Sequence, residues 1–400
     1  MKRRRLARIL IGTSILVAAL IVGIIISAVV AGRKNRENYM NPAFSGEDIN
    51  TVTATPVEAI PATPSAATPD AEADKSGDDA SETVTGTVTE DAETYKQKEY
   101  SQEDDKAAPR FLSFTNEVYL KAGEDFDIHR YIGYADDIDR DVELSFDEFD
   151  TKEVGRYPIK VTITDDTEKS TTGDMIVNVV NEIPSGGGDI KFYNWEDFAS
   201  RYKADDNMIG IDVSTFNGDI DFEKVKEAGC EFVIMRIGGY DNGTLYQDGK
   251  FAQNFKNAKA AGLKVGIYWH AEDRNPIEVK NSVAYLMNIL DGEELDFPIA
   301  YDWEDYMNFE EYGMNLHDFA ELLPAFNTEI EKYGYEASLY GSKSYLQDVW
   351  TIPEGEPVWL AHYVGNTDYP DSYYMWQLSS TGNIDGVNGY VDLDVYYGDS

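Results

Sequence analysis

The sequence has 400 residues, enough for two or three domains, and carries 34 basic against 74 acidic side chains, a formal net charge of −40. So strong a negative charge argues against binding to nucleic acid or to an anionic membrane surface. The single Cys230 excludes an internal disulfide and a cysteine-based zinc site, and its place before an apolar run predicts a buried structural thiol. The four histidines form no HxH or HExxH pair, so no metal site built from histidine is expected.

The first predicted element is a transmembrane helix over residues 9–32, where the 24 positions carry no charged side chain. As a helix this segment would span about 36 Å, which is enough to cross a bilayer. A cleaved signal peptide usually has a shorter apolar core of about 7–15 residues, so an uncleaved anchor is favoured. The basic tail at 1–8 predicts a cytoplasmic N-terminus, although basic residues after the helix weaken this bias. We therefore expect a single-pass membrane protein with its remaining domains outside the cell.

Residues 33–108 are acidic and rich in Thr, Ala and Pro, and they show neither a helical nor a strand period. Apolar residues are too sparse in this segment to offset the chain entropy that folding would remove. We expect a disordered linker with a coil dimension on the order of 50 Å, which would hold a folded unit away from the membrane.

Residues 109–182 contain short β-rich runs such as YPIKVTITD and DMIVNVV, separated by turn signals, and they predict a small antiparallel sandwich. Part of this segment resembles the last strands of bacterial Ig-like surface domains. The matching pattern, D…GxYxVxxxVxD, is carried by Asp150, Gly155, Tyr157 and Asp165. The resemblance implies an Ig-like spacer, to which we assign no ligand site. Residues 183–206 are expected to be a joint and lead-in, with a flexible IPSGGGD sequence.

Residues 207–400 alternate between apolar strand-like runs and amphipathic helical runs, a pattern that predicts parallel βαβ units. Eight strands within roughly 200 residues indicate an irregular TIM-like (β/α) barrel whose last part has few helices. One helix is expected over LHDFAELLPAFNTEIEKYG, with Gly334 at its end. The strand-like runs are IGIDVS, FVIMRIGG, KVGIYWHA, FPIAYDWED, EASLYGS, PVWLAHYV, YYMWQLSS and VDLDVYY.

Acids and aromatic residues gather at the ends of these strands, where (β/α) barrels place their active sites. Side chains alternate along a strand, so Asp302 and Glu304 share one face, with Cα atoms roughly 6.5 Å apart. Trp303 is expected to point into the helix layer, and Asp305 also falls on the opposite face.

Two carboxylates on one face, surrounded by aromatic side chains, suit glycoside hydrolysis. One acid must stay protonated to donate to the leaving oxygen, and the other stays ionised to stabilise positive charge at the sugar carbon. A DxE at a strand end is common, however, and alone is weak support. A second reading is coordination of magnesium or calcium by Asp212, Asp302, Glu304 and Asp392. This reading ranks lower because no phosphate-binding loop accompanies the acids.

Several motifs together resemble a known family. GIDVSTFNGDIDFEKVKEAGCEFVIMRIGG resembles the opening of the glycoside hydrolase family 25 lysozymes, which are N-acetylmuramidases of the cellosyl and phage-lysin type. FPIAYDWED and MWQLSSTGNIDGVNGYVDLDVYYG follow in the order that the family pattern requires. The resemblance covers residues 207–400.

The resemblance implies cleavage of the β-1,4 bond between N-acetylmuramic acid and N-acetylglucosamine in peptidoglycan glycan strands, without a metal or organic cofactor. It assigns Glu304 as general acid and later base. It assigns Asp302 to orienting the substrate's 2-acetamido group in a substrate-assisted retaining mechanism, with direct attack by Asp302 left open. Asp212 would complete the catalytic set. The expected substrate-binding residues are Asp392, Tyr268, Tyr340, Tyr363, Trp376 and Gln377.

Two departures from the family pattern affect the cleft wall. Phe216-Asn217 replaces the usual aromatic-Gln pair, and Tyr268-Trp269-His270 replaces the common YHF, which leaves the preferred form of the glycan open. A non-catalytic wall-binding module on the same barrel is the alternative to an anchored muramidase. Retention of the four acids favours the muramidase. No protein partner follows from the sequence.

Overall fold

The computed structural model describes residues 95–398, apart from 102, 185–192 and 242. The expected transmembrane helix at 9–32, most of the expected linker and most of the glycine-rich joint lie outside these residues. Within the described ranges, no helix is both long and apolar enough to cross a bilayer.

Residues 110–180 form an all-β unit with a hydrophobic core of its own. Along the two longest strands every second side chain is buried, as expected for strands with one face on a core. One small sheet pairs β1 (Arg110–Phe114) with β3 (Ile132–Ala135). The other has the order β2 (Glu117–Lys121), β6 (Ser170–Val180), β5 (Gly155–Thr164) and β4 (Glu143–Phe146).

The expected strands of this unit are present, but the expectation of purely antiparallel pairing is wrong at one place. β2 runs parallel to β6, whereas β4–β5 and β5–β6 are antiparallel. The reason is the connection: the chain leaves β2 for the other sheet and returns through β4 and β5, so no hairpin joins β2 to β6.

The second half of the chain forms a closed barrel of eight strands, as the sequence predicts. Neighbouring strands are parallel from the first to the seventh, and the last strand closes the barrel antiparallel to both of its neighbours. The barrel strands are β8 (Met208–Val213), β9 (Phe232–Asp241), β11 (Lys264–Ala271), β12 (Ile299–Trp303), β13 (Ala337–Ser342), β14 (Val358–Ala361), β15 (Met375–Asn383) and β16 (Val391–Tyr396). Two short strands add to it: β7 (Tyr193–Asn194) pairs with β15, and β10 (Thr244–Gln247) pairs with β9.

The helices are α1 (Trp195–Tyr202), α2 (Phe222–Glu227), α3 (Phe251–Ala260), α4 (Pro276–Leu290), α5 (Leu316–Phe319), α6 (Leu322–Glu331) and α7 (Lys343–Asp348). The longest, α4, begins with a proline and is capped by Asn275, whose side chain accepts the N–H groups of Ile277 and Glu278. The single helix expected over 316–334 is divided into α5 and α6. Pro324 explains the break, because it has no N–H and its ring would clash with the carbonyl four residues earlier in a continuous helix.

The barrel packing begins earlier than the expected boundary at residue 207. In α1, Trp195 and Phe198 are fully buried in the barrel core, and the Trp195 indole donates to the carbonyl of Ala228 at 2.8 Å. These residues were expected to be only a lead-in, because an eight-residue helix gives a weak periodic signal.

The all-β unit packs directly on the barrel, against the 3-10 segment Tyr306–Tyr312 that follows β12. A Cβ added at Gly133 would lie 1.9 Å from the carbonyl oxygen of Tyr306, so only glycine fits this contact. Beside it, Arg140 donates to both carboxylate oxygens of Asp318, at 2.6 and 2.8 Å. The unit therefore borders the chain segment that begins two residues after Glu304.

Candidate active site

The candidate acids lie at one end of the barrel, on the neighbouring strands β8 and β16 and at the end of β12, which is adjacent to neither of them. Asp212 near the end of β8 is directly opposite Asp392 at the start of β16, because these two strands run antiparallel. On β12, Asp302 is aligned with His270 of β11 on one side and with Tyr340 of β13 on the other. Strand register thus brings together side chains that are up to 180 residues apart in the sequence.

Asp212 is held by a chain of hydrogen bonds. The Gln377 amide donates to Asp212 Oδ2 at 2.6 Å. The amide oxygen of Gln377 in turn accepts the hydroxyls of Tyr340 at 2.9 Å and Tyr363 at 2.8 Å. Because both tyrosines donate to the oxygen, the NH2 group must face Asp212. Burial raises the pKa of Asp212 to about 6, against the hydrogen bond from Gln377.

Asp394 is a member of this cluster that the sequence reasoning missed. Its side chain is fully buried, and its Oδ1 accepts the Trp359 indole N–H at 2.9 Å. Burial, and next the charges of Asp212 and Asp392, raise its pKa well above the usual range. A protonated Asp394 can donate to Asp212, which lowers the pKa of Asp212. The alternation in VDLD was the available signal, since it places Asp392 and Asp394 on one face.

Asp302 is only 4% exposed, and its Oδ1 has no hydrogen-bond partner among the described residues. Burial first, and then the charges of Glu304 and Asp212, raise its pKa well above the usual range. Arg236 opposes this rise. The guanidinium of Arg236 is itself buried and is bound by Asp248 at 2.9 Å.

Arg236 is a second residue that the sequence reasoning missed. A basic residue inside the apolar run FVIMRIGG was the available signal, because a buried cation needs a nearby anion. Its partner Asp248 lies after the short strand β10, twelve positions further on, and could not be paired with it from spacing alone.

Glu304 differs from the other acids because its side chain is solvent-accessible. The protein around its carboxyl nevertheless raises the pKa to about 7, through the loss of solvation first and the charge of Asp212 second. A carboxyl that keeps its proton near neutral pH and can reach solvent can donate that proton to a bound ligand.

The structure separates the expected sugar-binding residues into two sets. Tyr268, Tyr340, Tyr363 and Gln377 lie with the acids, whose charges act on all three phenol groups. Trp376 lies on the other face of β15 and is 3% exposed. Its ring packs edge-to-face on Tyr202, and its indole N–H donates to the carbonyl of His362 at 2.8 Å. In this arrangement Trp376 belongs to the barrel core, and its sugar-binding role remains a prediction.

The two residues expected to turn away from the cleft do so. Trp303 is fully buried in the core, and its indole donates to the carbonyl of Asp273 at 3.1 Å. Asp305 accepts hydrogen bonds from Asn308 and Tyr312 in the following segment. Cys230 is buried and unoxidised, with its pKa raised to about 12 by burial, as expected for a structural thiol.

The hypothesis that the cleft acids coordinate magnesium or calcium can be compared with the geometry. Within the described residues, two groups of three acids place their oxygen atoms within 4.8 Å of one another, and neither contains Asp212, Asp302, Glu304 or Asp392.

An eight-stranded α/β barrel with a carboxyl-rich cleft at the ends of its strands belongs to the class of (β/α) barrels that use acids in hydrolysis. The comparisons with known proteins agree. Residues 211–387 match the family model described as Glycosyl hydrolases family 25. The family model covers most of the C-terminal barrel, in agreement with the sequence motifs, and indicates a glycoside hydrolase domain.

Two curated relatives are similar over this domain. The autolytic lysozyme of Clostridium acetobutylicum is 28% identical over 192 residues, which cover 47% of this chain and 56% of the relative. Lysozyme M1 of Streptomyces globisporus is 27% identical over 202 residues, covering 47% of this chain and 67% of the relative. The chain thus spans little more than half the length of the first relative.

Solved structures also resemble the chain, at low scores. A family 25 glycosyl hydrolase from Bacillus anthracis is 21% identical with a TM-score of 0.42, over 50% of this chain and 90% of that one. The autolysin LytC of Streptococcus pneumoniae, solved with a synthetic peptidoglycan ligand, is 22% identical with a TM-score of 0.45, over 60% of this chain and 56% of that one. The family assignment rests on the sequence matches.

Proposed function

We propose that the barrel is a peptidoglycan hydrolase of the lysozyme type, an N-acetylmuramidase that cleaves the β-1,4 bond between N-acetylmuramic acid and N-acetylglucosamine. The observation that carries the proposal is the proximity of two carboxyls at the end of β12: the charge of Glu304, which directly follows the strand, acts on Asp302. Glu304 is accessible and has a pKa of about 7, while Asp302 is almost fully buried beside it. Two carboxyls in different environments are what glycoside hydrolysis requires.

In the proposed reaction, Glu304 protonates the glycosidic oxygen of the leaving sugar and later removes a proton from the attacking water. We assign to Asp302 the orientation of the 2-acetamido group, whose carbonyl oxygen attacks the anomeric carbon with retention of configuration. Direct attack by Asp302 is the alternative for this step. Asp212, held by Gln377, supplies negative charge near the sugar carbon as positive charge develops there.

The hydroxyl groups of Tyr340 and Tyr363 act through Gln377, which they orient toward Asp212. Tyr268 and the half-buried Asp392 complete the wall of the cleft and are proposed to contact the glycan. The names of the curated relatives, an autolytic lysozyme and lysozyme M1, support the choice of substrate.

The cellular setting is also proposed. The 24 uncharged residues at 9–32 and the basic tail before them favour a single-pass anchor with the barrel outside the cell, at the wall. The all-β unit, proposed to be Ig-like, and the acidic linker would then set the distance between the membrane and the glycan. The KRRR sequence at positions 2–5 is the main support for this orientation.

A non-catalytic glycan-binding module is the competing function, and it is distinguished by turnover. Purified full chain in detergent should release new reducing ends from peptidoglycan, whereas Glu304→Gln should bind the glycan and release almost none. Asp305→Asn is the matched control, because it removes a neighbouring charge that faces away from Asp302. Binding without release by the wild type would refute the enzyme, and equal release by Glu304→Gln would refute the role of Glu304.

A further inference from the structure

The all-β unit contains a second cluster of acids, separate from the cleft. One oxygen from each of Asp105, Asp139 and Asp166 lies within 4.8 Å of the others, and the same holds for Asp105, Asp136 and Asp137. Asp105 belongs to both groups, so the five carboxyls form two groups that overlap at this residue. They come from three parts of the chain: the segment before β1, the loop after β3 and the loop between β5 and β6.

Two of these carboxyls are buried and incompletely bonded. Asp136 is 1% exposed and Asp105 is 6% exposed. Asp136 Oδ2, Asp105 Oδ1 and Asp137 Oδ1 have no hydrogen-bond partner in the part of the chain that the structure describes. Buried carboxylate oxygens without a partner are costly, so the cluster requires a positive charge or protons.

Backbone hydrogen bonds fix the positions of these carboxyls. Asp136 Oδ1 accepts the N–H groups of Ile138 and Asp139, both at 2.9 Å, which leaves its other oxygen directed away from the loop. Asp139 Oδ2 accepts the N–H of Asp166 at 3.2 Å and thereby connects the two loops. The loops are preorganised, with carboxylate oxygens turned toward one another.

Lysine side chains balance only part of the charge. The Lys169 ammonium bonds to Asp105 and lies 3.7 Å from Asp165 Oδ2, and Lys106 also acts on Asp105 through its charge. Asp165 otherwise accepts the backbone N–H groups of Thr167 and Lys169. Two ammonium groups therefore face six carboxyls, namely Asp105, Asp136, Asp137, Asp139, Asp165 and Asp166.

We propose that this cluster binds one Ca2+ ion, with ligands from Asp105, Asp136, Asp137, Asp139 and Asp166. Oxygen-only ligands on adaptable loops suit Ca2+, which accepts six to eight oxygens in flexible geometry, better than Mg2+, which requires near-octahedral geometry and keeps waters. Zinc is disfavoured because the cluster has neither histidine nor cysteine. The site is independent of the proposed hydrolase activity.

The ion would also strengthen the contact between the all-β unit and the barrel. The carbonyl of Asp136 accepts the N–H of Leu316 at 2.9 Å, and the carbonyl of Ile138 accepts the Asn315 side-chain amide at 2.6 Å. The same loop therefore provides acids to the cluster and docks on helix α5. Fixing this loop by a cation should raise the unfolding temperature of both parts together.

The test is calorimetric titration of CaCl2 into the chelator-treated full chain in detergent, with unfolding followed in parallel. We expect a dissociation constant of about 10⁻⁴–10⁻³ M, typical of extracellular calcium modules, and a higher unfolding temperature in calcium. The double variant Asp136→Asn/Asp139→Asn should weaken calcium binding at least about tenfold, as expected when two charged ligands are lost. Asp125→Asn/Asp127→Asn, a pair of exposed acids in the same unit, should bind like the wild type.

The Lys169→Met variant distinguishes a calcium-binding site from a cluster whose negative charge is balanced by lysine alone. Removing the competing ammonium should tighten calcium binding severalfold if the proposal is correct. No binding heat and no stabilisation at 10 mM calcium, in both the wild type and Lys169→Met, would overturn the proposal. Equal affinity for magnesium would overturn the assignment to calcium.

Discussion

The molecule holds two groups of clustered carboxyls that are neutralised in different ways. In the barrel cleft the neighbours are side chains: the Gln377 amide, the Trp359 indole and the Arg236 guanidinium. In the all-β unit the neighbours are mostly backbone N–H groups and one bonded ammonium, that of Lys169. The acids are Asp212, Asp302, Glu304, Asp392 and Asp394 in the cleft, and Asp105, Asp136, Asp137, Asp139 and Asp166 in the all-β unit.

The difference follows from where each group lies in the fold. The cleft acids lie on barrel strands or directly after one, and burial raises their pKa values, with the charges of neighbouring acids adding to the rise for Asp302, Glu304, Asp392 and Asp394. The acids of the all-β unit lie mainly on loops that can close around a common point. Burial raises the pKa of Asp136 and Asp139 to about 6, but each also has an oxygen within 4.8 Å of an oxygen of Asp105 and of one further aspartate. Protons are thus expected to balance the first group and a cation the second.

The largest expected effect is the loss of turnover in Glu304→Gln. Removing a general acid typically lowers the rate by about 10²–10⁴-fold. If the two clusters are independent, Glu304→Gln keeps its stabilisation by calcium. The double variant Asp136→Asn/Asp139→Asn loses that stabilisation and keeps most of the turnover at saturating substrate. Both properties are measured on the same preparations. Loss of both properties in either variant would mean that the two clusters act as one.

The next largest effect is the dependence of kcat/KM on pH. Asp212 must be ionised, so activity should fall as the pH drops through about 6. Glu304 must be protonated, so activity should fall as the pH rises through about 7. The profile should be a narrow bell. A flat profile between pH 5 and 8 would contradict the assigned roles.

Gln377→Met sharpens this prediction. It removes a hydrogen bond that favours the ionised form of Asp212, so the pKa of Asp212 should rise. The acidic limb of the profile should then move to higher pH while the alkaline limb stays in place, with a lower maximum. A uniform fall in activity with both limbs unmoved would assign Gln377 a purely structural role.

The contact between the two parts of the chain is tested by Arg140→Met. Asp318 has a side chain that is 2% exposed and bonded by Arg140, so truncation leaves a buried carboxylate without its cation. Breaking such a pair costs about 3–5 kcal/mol, and the unfolding temperature should fall by several degrees. Arg156→Met, an exposed arginine of the same unit, is the control. Equal unfolding temperatures for the two variants would show that the contact contributes little.

A smaller effect is expected from Asp302→Asn, which should raise the unfolding temperature at pH 7.5. The folded-state pKa of Asp302 is above its unfolded value, so the wild type loses stability as the pH rises above about 4. The asparagine side chain does not ionise, so the variant does not lose stability in this way. The gain should vanish below about pH 3, where the carboxyl is protonated in both states. Asp125→Asn, at an exposed position, should show no comparable gain. A gain independent of pH would contradict this account.

The sequence predicts the barrel well because each strand can be recognised from its own short run of residues. Apolar runs locate all eight strands, and alternation correctly separates Asp302 and Glu304 from Trp303 and Asp305. The same alternation could have shown that Trp376 and Gln377 cannot both face the acids. The pairing of Arg236 with Asp248 and the grouping of aspartates from three parts of the chain depend on how loops meet in space. Periodicity carries no information about such contacts.

The most direct test of the central claim identifies the sugar at each new chain end. Peptidoglycan digested by the full chain is reduced with borohydride, hydrolysed and analysed by mass spectrometry. The account predicts reduced N-acetylmuramic acid at the new ends, formed by the wild type and nearly absent with Glu304→Gln. Reduced N-acetylglucosamine at those ends, or no new reduced sugar from the wild type, would contradict it.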